Sequence, residues 1–369
     1  MGTPSPWELN TVEILQIQLS PGIPCLVTVI NSEWLIFSYL SFLLSLHYVA
    51  TLRNDHSAFS VLKLRSTLLV AFLVSWQTIM TSSVGLENVL NFRDVGKTVN
   101  DFLGTRRIRE GLFYRSARPD NATLSDRQLI RDELGIKTVI DLRTKTEHLN
   151  QAQRRKEQSN IPALVKSNKA LAGPLQISGL DYRQVKITGR PFELFLLSQL
   201  SWWDFFRVVF LFVCGYRTEA INILGQQVMI PRGLVGLGLD TIDQSTREIR
   251  EALSLYANQA ALPSIVHCTQ GKDRTGLICA LVLMILDVPV SAIEYDYALS
   301  DEALIPEREQ RLVEIREIGL TDEWLHTADD MIVGVQKHLD DKYGGLNAYL
   351  DGIGFGADKR AKIRDLLLY

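Results

Sequence analysis

Hydrophobic and polar positions divide the chain into two parts near residue 86. Of the 39 basic and 42 acidic residues, only 7 lie before that point, where two mostly apolar runs occupy Leu35–Leu52 and Ser66–Met80. As a helix, the longer run would extend about 27 Å, slightly less than the roughly 30 Å hydrocarbon core of a bilayer. We expect residues 1–85 to form a separate leader. It is either associated with a membrane through residues 35–80 or an unstructured, even artefactual, extension.

From residue 86 onward, helical and strand patterns alternate. Ser125–Gln128 has the spacing of a capping box and opens a helix predicted for Asp126–Leu134, which Gly135 ends. The β-branched run Thr138–Leu142 predicts a strand. A second capping box opens a helix predicted for Ser245–Asn258.

The segment after that helix repeats the alternation. Ser264–Val266 is a short apolar run, and Leu277–Leu286 is apolar on all sides but too short to span a bilayer, which indicates a buried core helix. Helix, strand, loop and helix in this order make a parallel βαβ unit. We therefore predict an α/β domain, with further helices over Glu302–Ile318 and Asp322–Lys342.

Residues 150–238 do not fit this alternation. Within them, Phe192–Gly215 holds two tryptophans and several phenylalanines around Asp204 and Arg207. So large an aromatic surface needs a covering partner. We interpret it as a helical insertion or lid, and an ordinary core helix and a helix on a membrane surface remain open alternatives.

Charge and cysteine content narrow the class of function. The net charge of −3 argues against a nucleic-acid-binding protein. The four cysteines, at positions 25, 214, 268 and 279, have no disulfide-framework spacing, which favours a reducing, cytoplasmic location. No cluster with metal-ligand spacing is present, so we expect neither a metal nor another cofactor.

The chemistry concentrates in one loop, His-Cys-Thr-Gln-Gly-Lys-Asp-Arg-Thr-Gly at residues 267–276. A glycine-containing loop that enters a helix directs several backbone N–H groups toward one point, where the helix dipole also favours an anion. A guanidinium at Arg274 can hold two phosphate oxygens at once. The same N–H groups and positive charge favour a thiolate at Cys268, which is therefore the candidate nucleophile.

Other interpretations of this loop explain less. A nucleotide P-loop needs glycine where Val266 stands and Ser or Thr where Asp273 stands, and a zinc site needs more ligands than the adjacent His267. A merely buried cysteine would not require Gly271 and Arg274 at these spacings.

The sequence His-Cys-x5-Arg-Thr-Gly resembles the signature of the protein tyrosine phosphatase superfamily. Its Gly-Lys-Asp-Arg-Thr-Gly version is similar to that of the bacterial triple-specificity phosphatases and their fungal relatives. Asn91–Gly96, Leu112–Ser116 and Val139–Arg143 resemble further motifs of that branch, so the resemblance extends over about Leu86–Tyr369. It implies a cysteine-phosphatase fold with a central, mostly parallel sheet flanked by helices.

The resemblance also implies roles for the loop residues. Cys268 would attack phosphorus and Arg274 would bind the equatorial oxygens, while Asp273 would be the acid for the leaving group, as in the bacterial relatives. Asp240, 28 residues before the cysteine, is the rival acid. The remaining loop residues are expected to bind phosphate or support the loop, namely His267, Thr269, Gln270, Gly271, Lys272 and Thr275. Outside the loop, five charged residues are expected either to form supporting ion pairs near the site or to be solvated or structural, namely Arg93, Asp94, Arg115, Asp141 and Arg143.

The expected substrates are phosphotyrosine, phosphoserine or phosphothreonine, and phosphoinositides. Lys272 resembles the lysine that lipid phosphatases carry at this loop position, which would favour inositol headgroups. Membrane contact through the leader or the lid would suit such substrates. The alternative is a catalytically inactive module that only binds phosphorylated ligands, although the intact set of Cys268, Asp273 and Arg274 argues against it.

Overall fold

The protein is described here by a computed structural model that covers residues 85–158 and 176–369, with two short strands nearer the N-terminus. The chain separates into two compact units, Met1–Val84 and Gly85–Tyr369. Within the described part of the chain, no helix has both the length and the apolar content needed to cross a bilayer.

In the first unit, strands β1 (Ile14–Gln18) and β2 (Pro24–Thr28) pair antiparallel. The candidate membrane segments Leu35–Leu52 and Ser66–Met80 lie outside the described residues. Their association with a membrane therefore stays a prediction.

The second unit is built on a five-stranded sheet in the order β3-β4-β7-β5-β6. Only the edge pair β3–β4 is antiparallel, and the other three pairs are parallel. This confirms the predicted α/β fold with a mostly parallel sheet. The strands are β3 (Arg93–Asp94), β4 (Phe113–Ser116), β5 (Thr138–Asp141), β6 (Asp181–Gln184) and β7 (Ser264–His267).

Side chains of the three inner strands alternate between two apolar layers, as the period of two in a strand requires. Phe113, Ile140 and Val266 join the larger core, and their neighbours Tyr114, Val139 and Ile265 join a smaller core on the other face. Both faces of the sheet are therefore covered, and β7 lies in its centre.

The helices that follow the strands supply these two layers. Asp273–Ile285 contributes the largest share, because almost every side chain from Thr275 to Ile285 is buried. The α-helices of the second unit are α1 (Val95–Leu103), α2 (Leu124–Gln128), α3 (Lys145–Gln158), α4 (Arg190–Ser198), α5 (Trp202–Cys214), α6 (Arg217–Leu224), α7 (Ile230–Gln244), α8 (Thr246–Tyr256), α9 (Asp273–Ile285), α10 (Val290–Ala303), α11 (Arg308–Glu317), α12 (Met331–His338), α13 (Leu346–Gly352) and α14 (Ala357–Leu367).

Two predicted capping boxes differ from the structure. The first box is formed by Thr123 and Asp126, two residues before the predicted Ser125, and it opens α2. Ser245 does precede α8, but its hydroxyl accepts a hydrogen bond from the Thr188 amide at 3.3 Å instead of capping the helix. The predicted C-terminal helices are each divided into shorter segments, with a 3₁₀ turn at Asp322–Leu325.

The segment predicted as an insertion, residues 150–238, contains a strand of the sheet. β6 pairs in parallel with β5, with Thr138 opposite Asp181. The helical insertion proper therefore begins at α4. Its helix α5 packs on α6, and Met229, just before α7, joins a small apolar cluster with Trp324.

Candidate active site

The loop of residues 268–272 joins the central strand β7 to helix α9 at the carboxyl edge of the sheet. His267 is in register with Ser116 of β4 and Asp141 of β5, so the neighbouring strands end at the same level. In parallel sheets this edge is where ligands bind. The sheet thus places the loop with Cys268 at its edge, directly before a helix N-terminus.

Two carbonyl groups in the loop are held by side chains from distant elements. The Asn91 amide donates to Gln270 O and to Gly271 O, both at 3.0 Å. Arg115 Nη2 also donates to Gly271 O at 2.7 Å. These bonds fix the orientation of two successive peptide groups.

The two preceding carbonyl groups are held as well. His267 Nδ1 lies 3.0 Å from Cys268 O, and since a carbonyl oxygen only accepts, this nitrogen carries the proton and donates. The Arg118 amide donates to Thr269 O at 3.1 Å. Four consecutive carbonyl groups are therefore tied to the surrounding protein.

The consequence for the amide groups follows from peptide geometry. In a trans peptide the C=O and the next N–H point in opposite directions. Because the carbonyl oxygens of residues 268–271 bond to the protein, the N–H groups of residues 269–272 face the other side of the loop. Together with the N-terminus of α9, they form a concave set of donors suited to a phosphate group.

Gly271 is required for this loop conformation. Its φ of +67° lies in the left-handed region, which side chains with a Cβ rarely adopt. A Cβ atom at this position would also lie only 2.0 Å from Ser116 O. No other residue fits here without displacing β4.

Arg115 is itself fixed by a buried ionic network. Its Nη1 lies 2.5 Å from Asp296 Oδ2, and Arg93 Nε lies 2.8 Å from Asp296 Oδ1. Burial would raise the pKa of Asp296, but the two guanidinium groups outweigh it and hold the pKa below its ordinary value. The expected supporting role of Arg93 and Arg115 is thus seen as contacts behind the loop.

Arg274 has a partner that the sequence analysis missed. Its Nη1 and Nη2 donate to the two carboxylate oxygens of Glu147 at 2.7 and 2.6 Å. The same carboxylate accepts hydrogen bonds from the Thr269 hydroxyl at 2.5 Å and from the Thr144 amide at 2.8 Å. Glu147 therefore orients the guanidinium beside the loop and holds a loop side chain at the same time.

The charge state of Glu147 follows from these contacts. Burial alone would raise its pKa, but the Arg274 guanidinium and the hydrogen bonds from Thr269 and Thr144 hold it well below the ordinary value. Glu147 is thus ionised throughout the neutral range, and the pKa of Arg274 is raised in turn.

Cys268 and Thr275 are both buried in this site. Cys268 is only 3% exposed, at the end of β7. The Thr275 hydroxyl is buried and has no hydrogen-bond partner among the described residues. A hydroxyl left unpaired at the helix N-terminus is available to a group that appears only during a reaction.

The two candidate acids differ in their surroundings. Asp273 begins α9; its side chain is 43% exposed, and its Oδ1 has no hydrogen-bond partner among the described residues. Both oxygens of Asp240 lie within 2.8 Å of Arg232 Nη1, and both residues belong to α7. Burial nevertheless raises the pKa of Asp240, against the effect of Arg232. The geometry favours Asp273, because its Oδ1 accepts no hydrogen bond from the described residues and the ammonium group of Lys272 is 3.8 Å away, whereas Asp240 is tightly paired.

Lys272 does not point into the loop as expected. Its ammonium group is fully buried and donates to Trp324 O at 3.1 Å and to His326 O at 2.6 Å, with Asp273 Oδ1 at 3.8 Å. Two of the three N–H donors of the ammonium group are thus used on backbone carbonyls, and the Asp273 oxygen lies beyond hydrogen-bond distance. The expected addition of its charge to the phosphate site is therefore wrong for this conformation, and the side chain instead anchors the loop to the 3₁₀ turn.

A second buried network lies beneath His267. Arg143 bonds Asp120 at 2.6 Å and Asp141 at 2.9 Å, and His267 Nε2 is 3.8 Å from Asp141. Burial lowers the pKa of His267, which favours the neutral ring that donates to Cys268 O. Asp94 has a different role from the ion pair expected of it, because it caps α1 through the amides of Gly96 and Lys97.

In the described part of the chain, no three His, Cys, Asp or Glu side chains converge as metal ligands. A buried cysteine at the base of a ring of backbone N–H groups, with an arginine fixed beside it, defines an oxyanion-binding site with a thiol nucleophile. The sequence profile of the tyrosine phosphatase family matches residues 84–369, and the chain belongs to that family. This confirms the resemblance drawn from the motifs.

Individual relatives match shorter parts of the chain. The chain is 26% identical to the triple-specificity protein phosphatase PtpB of Mycobacterium tuberculosis over 144 residues, covering 35% of this chain and 51% of that protein. It is 30% identical to a tyrosine-protein phosphatase of Nostoc commune over 83 residues, covering 22% of this chain and 28% of that protein. The chain thus spans about half the length of the first relative and less than a third of the second.

Among solved structures, the chain is similar to the core catalytic domain of the PP-IP phosphatase SIW14 from Saccharomyces cerevisiae. The identity is 14% and the TM-score is 0.29, over 69% of this chain and 94% of that domain. So low a TM-score supports no conclusion beyond those drawn from the chain itself.

Proposed function

We propose that this protein hydrolyses phosphate monoesters, with phosphotyrosine as the first substrate class, through a cysteinyl-phosphate intermediate at Cys268. The observation that carries the proposal is the outward fixing of four carbonyl groups, which leaves the amides of residues 269–272 facing the thiol side of the loop. Such preorganised donors stabilise the charge of a transferring phosphoryl group without reorganising during the reaction.

In the first step, the Cys268 thiolate forms a bond to phosphorus while the bond from phosphorus to the leaving oxygen breaks. Asp273 gives its proton to that oxygen, so the alcohol leaves neutral. Arg274, oriented by Glu147, binds two equatorial oxygens of the phosphoryl group. The free Oδ1 of Asp273 supports its assignment as the acid.

In the second step, water attacks phosphorus and the sulfur–phosphorus bond breaks. The Asp273 carboxylate takes a proton from that water, and inorganic phosphate leaves. The buried, unpaired hydroxyl of Thr275 is suited to donate to the departing sulfur. These two steps restore the thiolate and balance all protons.

The position of Lys272 bears on substrate range. Because its ammonium is bound to the carbonyls of Trp324 and His326, it does not support the preference for inositol headgroups inferred from the motif. Phosphoinositides therefore rank behind phosphotyrosine, and phosphoserine and phosphothreonine are further candidates. The mycobacterial relative is a triple-specificity phosphatase, which is the reason to include these substrates in a panel.

The test is turnover by the full chain of p-nitrophenyl phosphate and of a panel of phosphotyrosine, phosphoserine and phosphoinositide substrates. We expect turnover without added metal, competitive inhibition by vanadate and the highest kcat/KM for phosphotyrosine. A chain that binds vanadate yet turns over none of these substrates would instead be the inactive phospho-ligand-binding module.

A further inference from the structure

Helix α5 exposes an unusual aromatic surface. Trp202 and Trp203 are 80% and 77% exposed, and Phe206 and Phe210 are 56% and 66% exposed. Val208 is the one residue of this helix that is fully buried. The helix therefore contacts the rest of the domain along a narrow line and leaves most of its apolar surface uncovered.

The size of this surface matches that of the largest apolar patches on soluble monomers, which are often functional. With roughly 150–250 Å² for a whole aromatic side chain, the four exposed rings present on the order of 500 Å² of apolar area. The largest apolar patch of a typical monomer is about 300–600 Å² and is often functional. Tyr216, two residues after the end of α5, is also more than half exposed, which extends the apolar surface along the chain.

The charges that flank α5 along the chain have a small positive excess. Asp204 is paired with Arg207 at 3.1 Å within the helix. Beyond this pair, the exposed charged residues from position 186 to 219 are three basic ones, Lys186, Arg190 and Arg217, and two acidic ones, Glu193 and Glu219. This excess complements an anionic surface.

Exposed aromatic rings on a helix that basic residues precede and follow in the sequence are features of a helix that lies in a bilayer interface. The tryptophan pair at the start of α5 and Tyr216 beyond its end match the preference of these side chains for the headgroup level. A helix of 13 residues extends about 20 Å, too short to span a bilayer but long enough to lie in its plane.

We propose that α5 is a docking surface for an anionic phospholipid bilayer, with the rings of Trp202, Trp203, Phe206 and Phe210 inserted at the headgroup boundary. This role goes beyond the proposed hydrolysis and does not depend on it. It gives the exposed rings a partner that the described part of the chain does not supply.

The test measures the depth of the tryptophans directly. The full chain is mixed with phosphatidylcholine vesicles, with and without phosphatidylserine, whose acyl chains carry bromine as a fluorescence quencher. We expect quenching with the anionic vesicles, weakened by salt, and loss of most of it in the double variant W202F/W203F. The matched control is W324F, which removes a half-buried tryptophan outside α5 and should leave the quenching unchanged. Equal quenching of wild type and W202F/W203F would overturn the proposal, whatever other segment binds the vesicles.

A second variant, F206S/F210S, keeps both tryptophans and removes two inserted rings. We expect its partition coefficient for the vesicles, measured by quenching of Trp202 and Trp203, to fall about tenfold. The melting temperature and p-nitrophenyl phosphate turnover should be unchanged. Parallel loss of stability and turnover would show that these rings are core. If no vesicle quenches the wild-type tryptophans and the wild-type chain is a dimer that the F206S/F210S substitutions dissociate, the surface binds a second copy of the chain. Either result refutes bilayer docking.

Discussion

Replacing Glu147 by Gln tests the most informative contact in the site, because it removes a charge while keeping the shape of the side chain. Glu147 holds Arg274 through two short hydrogen bonds and also accepts from Thr269 and Thr144. Removing one partner of a fully buried ion pair costs about 3–5 kcal/mol. Here the side chains are 29% and 18% exposed, so we expect a smaller loss of about 1–3 kcal/mol in the free energy of unfolding.

The effect on catalysis should be of similar size. An arginine that must bind two phosphoryl oxygens loses its fixed orientation in Glu147→Gln, and about 1.4–2.7 kcal/mol of lost transition-state stabilisation lowers kcat/KM about 10- to 100-fold. The assay is kcat/KM for p-nitrophenyl phosphate together with urea unfolding. Glu314→Gln is the matched control, because Glu314 also pairs with an arginine, Arg311 of α11, at 2.5 Å and with similar exposure.

The pH dependence gives an independent check. The pKa of Glu147 is lowered in the folded state, so its stabilisation is fully present above the unfolded pKa of about 4.3 and is lost as pH falls toward the folded value. The stability difference between wild type and Glu147→Gln should therefore be constant from about pH 8 to 5 and should shrink only below about pH 4. A variant that keeps kcat/KM within twofold of wild type would refute the orienting role of Glu147.

Three further changes test other parts of the account. Asp273→Asn should lower kcat most for substrates with poor leaving groups, since only these need full protonation in the transition state. If a series of leaving groups shows this pattern for Asp240→Asn instead, the acid is Asp240 of α7. Lys272→Met should lower the melting temperature, because it breaks the hydrogen bonds to Trp324 and His326. It should lower the turnover of aryl phosphates and the turnover of phosphoinositides by the same factor. A loss of turnover confined to phosphoinositides would show that Lys272 contributes to substrate binding after all. Deletion of residues 1–85 should leave kcat/KM and the melting temperature of the remainder nearly unchanged, and insoluble or inactive protein would show that the leader belongs to the fold.

The sequence was sufficient to predict those features that depend on residues close together in the chain. The loop at residues 267–276 and the strand before it are specified by local spacing, and the structure places them at the centre of the sheet. Helix α9 could be predicted as buried because its whole surface is apolar. The strand β6 gave no such signal, since three of its four residues are exposed at the sheet edge.

Contacts between distant residues were the main failures. The pairing of Glu147 with Arg274 joins positions 127 residues apart. One local signal existed, because Thr144–Glu147 has capping-box spacing directly after β5, and that strand ends at the same sheet edge as β7. The direction of Lys272 was misjudged because it depends on two carbonyls 52 and 54 residues away. The start of α2 was placed two residues too late, because the box is formed by Thr123 and Asp126 and not by Ser125 and Gln128.

The central claim is that Cys268 carries the phosphoryl group. The most direct measurement is rapid acid quenching of the full chain during p-nitrophenyl phosphate turnover, followed by intact mass and peptide mapping. We predict a single phosphoryl group, located on Cys268, and a larger fraction of phosphorylated chains in Thr275→Ala. Cys268→Ser should carry no phosphoryl group but should still bind phosphate. A phosphoryl group on any other residue, or turnover by Cys268→Ser within about tenfold of wild type, would contradict the account.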